Sequence, residues 1–277
     1  MFVDHEIPTF AHKDIHSEKL RQAYYTEGAL VIKGLLNTED LYSVATFLQE
    51  ILELKFPKLP DQAYSKNLIQ TVSNLLIEAM AISSEAQGII YDVMSQSAAT
   101  HSLSTNPKIL NIIGKLLSKY VSLHEKKILL MSPPHETWHL ARWHQDYYYN
   151  GGSENSCTVY APLQKTTIAN GGLSLALGSH LNGLLPHDPN DQKNKWNTIS
   201  NYEIEKFSKV CNIDMELGDV LFLHSLIPHT ANINKSKNVR FVANFRYQDL
   251  SEQKFIESNW KLGDLSAARK ALRRKND

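Results

Sequence analysis

The chain has 277 residues, 42% of them hydrophobic, which is enough apolar sequence to bury a substantial core. Lysine plus arginine and aspartate plus glutamate balance at 29 each, so composition points to neither a nucleic-acid surface nor an acidic tail. No apolar run approaches the roughly 20 residues of a membrane span, and the start MFVDHEIPTFAHKD lacks the apolar region of a secretion signal. Cys157 and Cys211 have no C-x-x-C spacing and read as free thiols of a cytoplasmic protein.

Taken in chain order, the first half reads as helical. Leu20, Ala23 and Tyr24 share a face behind the caps Asp14 or Ser17, and Gly28 ends that run. GALVIKGLL (28–36) reads as a short buried strand. Leu41, Val44, Leu48 and Ile51 mark a helix from about Thr38; Leu68, Val72, Leu75 and Leu76 mark another; a third covers 84–97. Ile109, Ile112, Ile113, Leu116 and Leu117 form an apolar stripe, with Ser104 or Thr105 as cap and Pro107 in the first turn. These stripes face a core.

Near residue 120 the pattern changes. KKILLMS (126–132), SCTVYAPL (156–163), GLSLALGSH (172–180), DVLFLHSLI (219–227) and NVRFVANFRY (238–247) are short and β-rich, with turn signals at 170–172 and 217–219. Such spacing predicts a sandwich or barrel. Residues 187–200 form a polar loop, and SAARKALRRKND is a basic, solvated helix. The organisation expected is one domain: a mostly helical support over 1–119, a β core over 120–250 carrying the site, and a tail over 251–277.

Two metal signals run almost into each other in HETWHLARWHQD (135–146). His135-Glu136-x-x-His139 matches the zinc-protease pattern, which works only on a helix. Pro133-Pro134 precedes it, no apolar stripe follows, and the nearest suitable third ligand, Glu154, sits in a Gly/Ser/Asn loop. The second signal, His144-Gln145-Asp146, needs the opposite backbone, a strand, on which residues i and i+2 share a face. A distant histidine would complete a 2-His-1-carboxylate triad, which holds Fe(II) and leaves open positions. The stretch 217–247 carries two candidates, His224 and His229, which spacing alone does not separate. Arg240 follows in the next strand, with a guanidinium suited to a carboxylate.

The ordered set W-H-Q-D (143–146), N-G-G-L…G-S-H (170–180), P-H-D (186–188), M-E-L-G-D-V-L-F-L-H (215–224) and I-P-H (227–229), followed by Arg240, resembles the phytanoyl-CoA dioxygenase family. The resemblance covers about 126–250 and, more loosely, the N-terminal half. It implies a mainly β core within an α+β chain: a double-stranded β-helix (jelly-roll, cupin-like) with a helical N-terminal half packed on it. It further implies Fe(II), with 2-oxoglutarate and O₂ as co-substrates. By this match the metal ligands and catalytic centre are His144, Asp146 and His229, and Arg240 binds 2-oxoglutarate. Family members often carry a serine two residues after the distal histidine; here that position is Ala231, leaving the Thr230 hydroxyl as the expected co-substrate contact. The tryptophan often found after H-x-D is absent from TVYAPL (158–163). Halogenating relatives lose the triad acid, so the intact Asp146 implies hydroxylation or a related oxidation. The implied reaction oxidises a C–H bond of a small molecule and releases succinate and CO₂.

Strand parity extends the site. Arg240, Val242, Asn244 and Arg246 should share one face, and Arg142 and Tyr148 should follow His144 and Asp146 inward. Asn244 is the expected polar pocket group, Arg246 or Arg142 a second cation suited to an anionic substrate. Of Tyr147-Tyr148-Tyr149, one should pack in the core and another roof the substrate. His180 and His187 read as supporting groups, and the loop after Pro186 as the lid. Two other readings compete: a catalytically silent jelly-roll binding module, and the zinc protease. Neither nucleic acid nor membrane is an expected partner, and oligomeric state has no sequence signal.

Overall fold

In the computed structural model, residues 3–125, 127–137, 140–187 and 198–261 are described. The apolar stripes of the first half become helices α1 (Ser17–Glu27), α2 (Thr38–Lys55), α3 (Leu68–Ile82), α4 (Ala86–Gln96), α5 (Ala98–Ser104) and α6 (Pro107–Leu116). Short helices α7 (Asp146–Asn150), α8 (Asn201–Ile204) and α9 (Gln253–Glu257) follow. The strands are β1 (Val3–Asp4), β2 (Thr9–Ala11), β3 (Ala29–Lys33), β4 (Val121–Leu123), β5 (Ile128–Ser132) and β6 (Ser156–Pro162). They continue as β7 (Leu173–Ala176), β8 (Lys209–Asn212), β9 (Val220–His224), β10 (His229–Ala231) and β11 (Arg240–Asp249).

Local chemistry sets the helix ends. Asn37 and Asp40 form a reciprocal capping box at the start of α2. Pro107 opens α6 behind the cap Asn106, whose side chain accepts from the Lys108 N–H at 2.9 Å. The expected caps Ser104 and Thr105 instead close α5, an additional helix that the apolar pattern did not show. The start of α1 also differs: Ser17 is its first residue and His16 stands at the cap position. Gly28 ends α1 as expected, in the left-handed conformation (φ 79°). A Cβ there would also sit 2.5 Å from His180 Nδ1, so both backbone and packing require glycine.

The strands form two sheets. A four-stranded sheet has the order β1-β8-β7-β10; a seven-stranded sheet runs β2-β3-β9-β6-β11-β4, with β5 also pairing β11. Strand parity gives the larger sheet two different faces. Phe241, Ala243, Phe245 and Tyr247 of β11 join Val159, Phe222 and the apolar stripes of α2, α3 and α6 in one core. Val242 points the other way and shares a second core with Tyr160, Leu221, Leu173, Leu175 and Cys211, residues drawn from both sheets. The sheets therefore pack face to face, with the helices covering the outer side of the larger one. Phe222, Phe241 and Phe245 are each fully buried, stabilising the fold by about 1.5–3 kcal/mol apiece. Among the described residues no helix is long and apolar enough to cross a membrane. The basic C-terminal segment lies outside the described residues.

Candidate metal centre

His144 and His229 meet through the backbone. The segment before α7 lies antiparallel to β10, and the two histidines exchange both N–H···O bonds, each at 3.0 Å. Directly opposed residues in such a pair project to the same side, and here the imidazole centroids are 4.2 Å apart. Each ring is oriented by its own chain. His144 Nδ1 donates to the Arg142 carbonyl at 2.6 Å, and His229 Nδ1 donates to the Ile227 carbonyl at 3.0 Å. Both Nε2 lone pairs are thereby turned to the same space.

Asp146 reaches that space differently from expectation. His144 lies in the β-bridge and Gln145 is extended (φ −119°, ψ 129°), but Asp146 is the first residue of α7. The H-x-D pair therefore straddles a strand-to-helix junction instead of sharing a pleated strand. Ligand atoms of His144, Asp146 and His229 all lie within 4.8 Å of one another, and all three residues are buried. Among the described residues this is the one cluster of three or more such side chains with ligand geometry. Two imidazole nitrogens and one carboxylate match the donor set of a mononuclear iron site with open positions.

The electrostatics agree. Burial, with His229 alongside, pushes the His144 imidazole down to about 3, so the ring is neutral and able to donate its lone pair. Burial by itself would raise the Asp146 carboxyl. Arg246, His229, His144 and a hydrogen bond from Thr158 outweigh it and hold the group below the usual carboxylate range. Arg246 Nη2 lies 3.3 Å from Asp146 Oδ1, and Thr158 Oγ1 donates to Oδ2 at 2.6 Å.

At the start of β11, Arg240 occupies an unusual environment. It is 3% exposed, donates to the hydroxyls of Tyr160 and Ser132 (the latter at 2.7 Å), and makes no ion pair with an acid among the described residues. Its Nε has no partner there either. Burial raises the Tyr160 phenol, against the opposing effect of Arg240, so it keeps its proton. A buried guanidinium surrounded by neutral hydroxyls lacks a counter-ion, and a carboxylate would supply one. The Gly171 turn closes over the same spot: a Cβ there would lie 3.4 Å from Arg240 Nε.

The other expected residues divide. Asn244 is buried on the inter-sheet face as parity predicts, and its side-chain oxygen is without a hydrogen-bond partner among the described residues. Arg246 also faces inward but is engaged by Asp146. The Thr230 hydroxyl donates to the main-chain carbonyls of Ala141 and Ala231, both at 3.3 Å; neighbouring strand residues alternate faces, and His229 takes the inward position beside it. Arg142 is exposed, contributing its carbonyl to His144. Tyr148 is 41% exposed, because α7 replaces the strand on which its inward direction depended; its ring stacks on His187 at 3.8 Å. None of Tyr147, Tyr148 and Tyr149 is fully buried, and Tyr149 packs edge-on to His144 at 5.8 Å.

His224 is separated from the site. It packs against Tyr24 and His180, and its Nδ1 accepts from the Leu226 N–H at 3.2 Å. The zinc-protease pattern is also corrected. His135 has φ 58° in a turn, its N–H donates to the Asn234 carbonyl, and Glu136 accepts from Gln87, so no helix starts there to align the motif. His139 lies outside the described residues, as does the middle of the expected lid loop.

Sequence reasoning missed Thr158, Tyr160, Ser132 and Gln145. Gln145 was visible in W-H-Q-D without an assigned role. Fully buried, it donates to the carbonyls of Gly183 (2.8 Å) and Leu226 (2.7 Å) and accepts from the Leu185 N–H (2.8 Å). It thereby ties the H-x-D junction to the turn before β10. The other three are single hydroxyls on strands, with no spacing signal.

The fold and this site define a mononuclear non-haem iron enzyme of the 2-oxoglutarate-dependent oxygenase class. The model of the phytanoyl-CoA dioxygenase (PhyH) family matches residues 24–242, and the chain belongs to that family. A Caenorhabditis elegans protein named "Probable phytanoyl-CoA dioxygenase" is 22% identical over 245 residues, covering 84% of this chain and 75% of that protein. The 1-deoxypentalenic acid 11-beta-hydroxylase of Streptomyces exfoliatus is 28% identical over 144 residues, covering 49% of this chain and 51% of the relative. Among solved structures, the epimerase SnoN, in complex with Fe3+, alpha ketoglutarate and nogalamycin RO, has a TM-score of 0.60 at 18% identity, covering 84% of this chain and 83% of that one. The alpha ketoglutarate dependent carbocyclase SnoK has a TM-score of 0.58 at 17% identity, covering 94% and 96%.

Proposed function

We propose that this protein oxidises an unactivated C–H bond of a small-molecule metabolite, with hydroxylation as the outcome. The convergence of His144, Asp146 and His229 carries this reading. In it the three side chains hold Fe(II), which when bound supplies the O₂ chemistry that no side chain provides. The residues fit that metal: two imidazoles held through Nδ1 so that Nε2 of each turns to one space, and one ionised carboxylate.

The protein's own part is positional. Arg240, oriented by Tyr160 and Ser132, grips the far carboxylate of 2-oxoglutarate, a role supported by its buried charge without an acid partner among the described residues. Asn244, on the same face of β11, contributes an amide to the pocket. The packed sheets keep bulk water from the reacting groups. Face-to-face sheets with antiparallel β7–β10 and β6–β9 pairings support a double-stranded β-helix, acting with the N-terminal helices as one oxygenase unit. Two free buried cysteines suit the cytoplasmic setting proposed here. With Arg246 engaged by Asp146 and Arg142 exposed, an anionic substrate has less support than the sequence suggested.

The test is aerobic incubation with Fe(II), 2-oxoglutarate and a metabolite panel, scored by substrate-dependent succinate release. Stimulation by one chemical class, abolished by chelation and by His229→Ala, is expected. A protein that binds panel members but forms no succinate with any would favour the silent module.

A further inference from the structure

Asp146 poses a problem that the strand pattern does not solve. On a pleated strand, the backbone would aim both His144 and Asp146. Here the carboxylate begins a helix, and its direction has to come from its contacts. Those contacts are specific. Thr158 on β6 and Arg246 on β11 are directly opposed in the antiparallel register. They take one carboxylate oxygen each: Thr158 Oγ1 donates to Oδ2 at 2.6 Å, and Arg246 Nη2 lies 3.3 Å from Oδ1. Oδ1 is also the oxygen nearer the imidazole, 3.9 Å from His144 Nε2. Thr158 is 1% exposed, and its hydroxyl makes no other side-chain hydrogen bond among the described residues. A β-branched residue on a central strand has restricted χ1, so this hydroxyl has a set direction.

Resting on the iron-site reading above, we propose that Thr158 is a positioning residue that determines how Asp146 meets the metal. Its hydroxyl occupies Oδ2 and turns Oδ1 toward the two imidazoles. The carboxylate then offers one oxygen, not two, and the site keeps the open positions that a chelating keto acid and O₂ require. Arg246 neutralises the buried carboxylate through its contact with Oδ1; that role accounts for a cation here without a charged substrate. Each of the two histidines is oriented through its Nδ1 by a backbone carbonyl. Thr158 is the corresponding support for the acid, supplied by the facing sheet.

The discriminating variants are Thr158→Val, which keeps the shape and removes the hydroxyl, and Thr158→Ser, which keeps the hydroxyl and removes the methyl. Ni(II) binding is measured by titration calorimetry on full-length protein, with urea unfolding of the metal-free forms alongside. Support requires a Kd raised by about 10–100-fold in Thr158→Val, with Thr158→Ser restored to near wild type. Should Thr158→Val fold poorly, Thr158→Ala against Thr158→Ser gives the same comparison. Two results overturn the proposal: Thr158→Val binding Ni(II) as tightly as wild type, or Thr158→Ser weakening as much as Thr158→Val, which would assign the effect to packing. Failure of the underlying reading looks different. In that case His229→Ala leaves Ni(II) affinity unchanged in otherwise wild-type protein.

Discussion

Arg240→Met separates function from stability most sharply. In the proposed complex the guanidinium makes charge-assisted hydrogen bonds to the distal carboxylate of 2-oxoglutarate, worth about 1.5–3 kcal/mol each. Two such bonds amount to about 3–6 kcal/mol. The guanidinium already donates to Tyr160 and Ser132 before the co-substrate arrives, so the lower end applies. The expected loss is about 3 kcal/mol, or roughly 100-fold in Kd. Stability should behave otherwise. The variant loses charge-assisted hydrogen bonds to two hydroxyls, at about 1.5–3 kcal/mol each, but the removal of a buried charge without an acid partner among the described residues offsets much of that loss. Metal-free Arg240→Met should therefore unfold within about 2 kcal/mol of wild type. The assay is calorimetric titration of 2-oxoglutarate into Ni(II)-loaded protein, with 2-oxovalerate, which lacks the distal carboxylate, as control. Wild type should prefer 2-oxoglutarate strongly, and the variant should bind both keto acids alike. Unchanged 2-oxoglutarate affinity in the variant, or equal affinity for both keto acids in wild type, would refute the reasoning.

The two metal signals are separated by a mutant pair: succinate release should vanish in His229→Ala and persist in Glu136→Ala, and the opposite result would restore the zinc reading. Acid should weaken the metal-free protein before any carboxylate titrates. Burial, with His180 beside it, pushes His224 down to about 3, whereas the unfolded chain takes up that proton near the ordinary histidine pKa. The unfolded state then binds more protons below about pH 6.5, so the stability contributed by neutral His224 is complete above that pH and is lost as pH falls. Between pH 7 and 5 the loss from this residue is about 2 kcal/mol, visible as a lower urea midpoint; an invariant midpoint would contradict a buried neutral imidazole. Gly28→Ala should cost at least about 1 kcal/mol from the left-handed backbone alone, with the His180 clash added. Wild-type unfolding free energy in this variant would show that His180 moves freely.

Much of the molecule was legible because it rests on local rules. Apolar spacing located α1 to α4, α6 and the strands β3, β5, β6, β7, β9 and β11, since burial of one face imposes the period on the sequence. The same rule placed Arg240, Asn244 and Arg246 on the face of Val242, and ordered motifs pointed to His144, Asp146 and His229. Parity failed at Asp146 and Tyr148, where α7 interrupts the extended chain within a few residues.

The one-dimensional pattern thus determined which residue types are present and which face each strand residue takes, because both depend on neighbours along the chain. Only the tertiary structure decided where the counter-charge of Arg246 lies, which hydroxyls surround Arg240 and Asp146, and that His224 packs against Tyr24 and His180. Those choices depend on strand register and on two sheets packed across a core. Contacts between residues far apart in the chain leave no periodic trace in either segment.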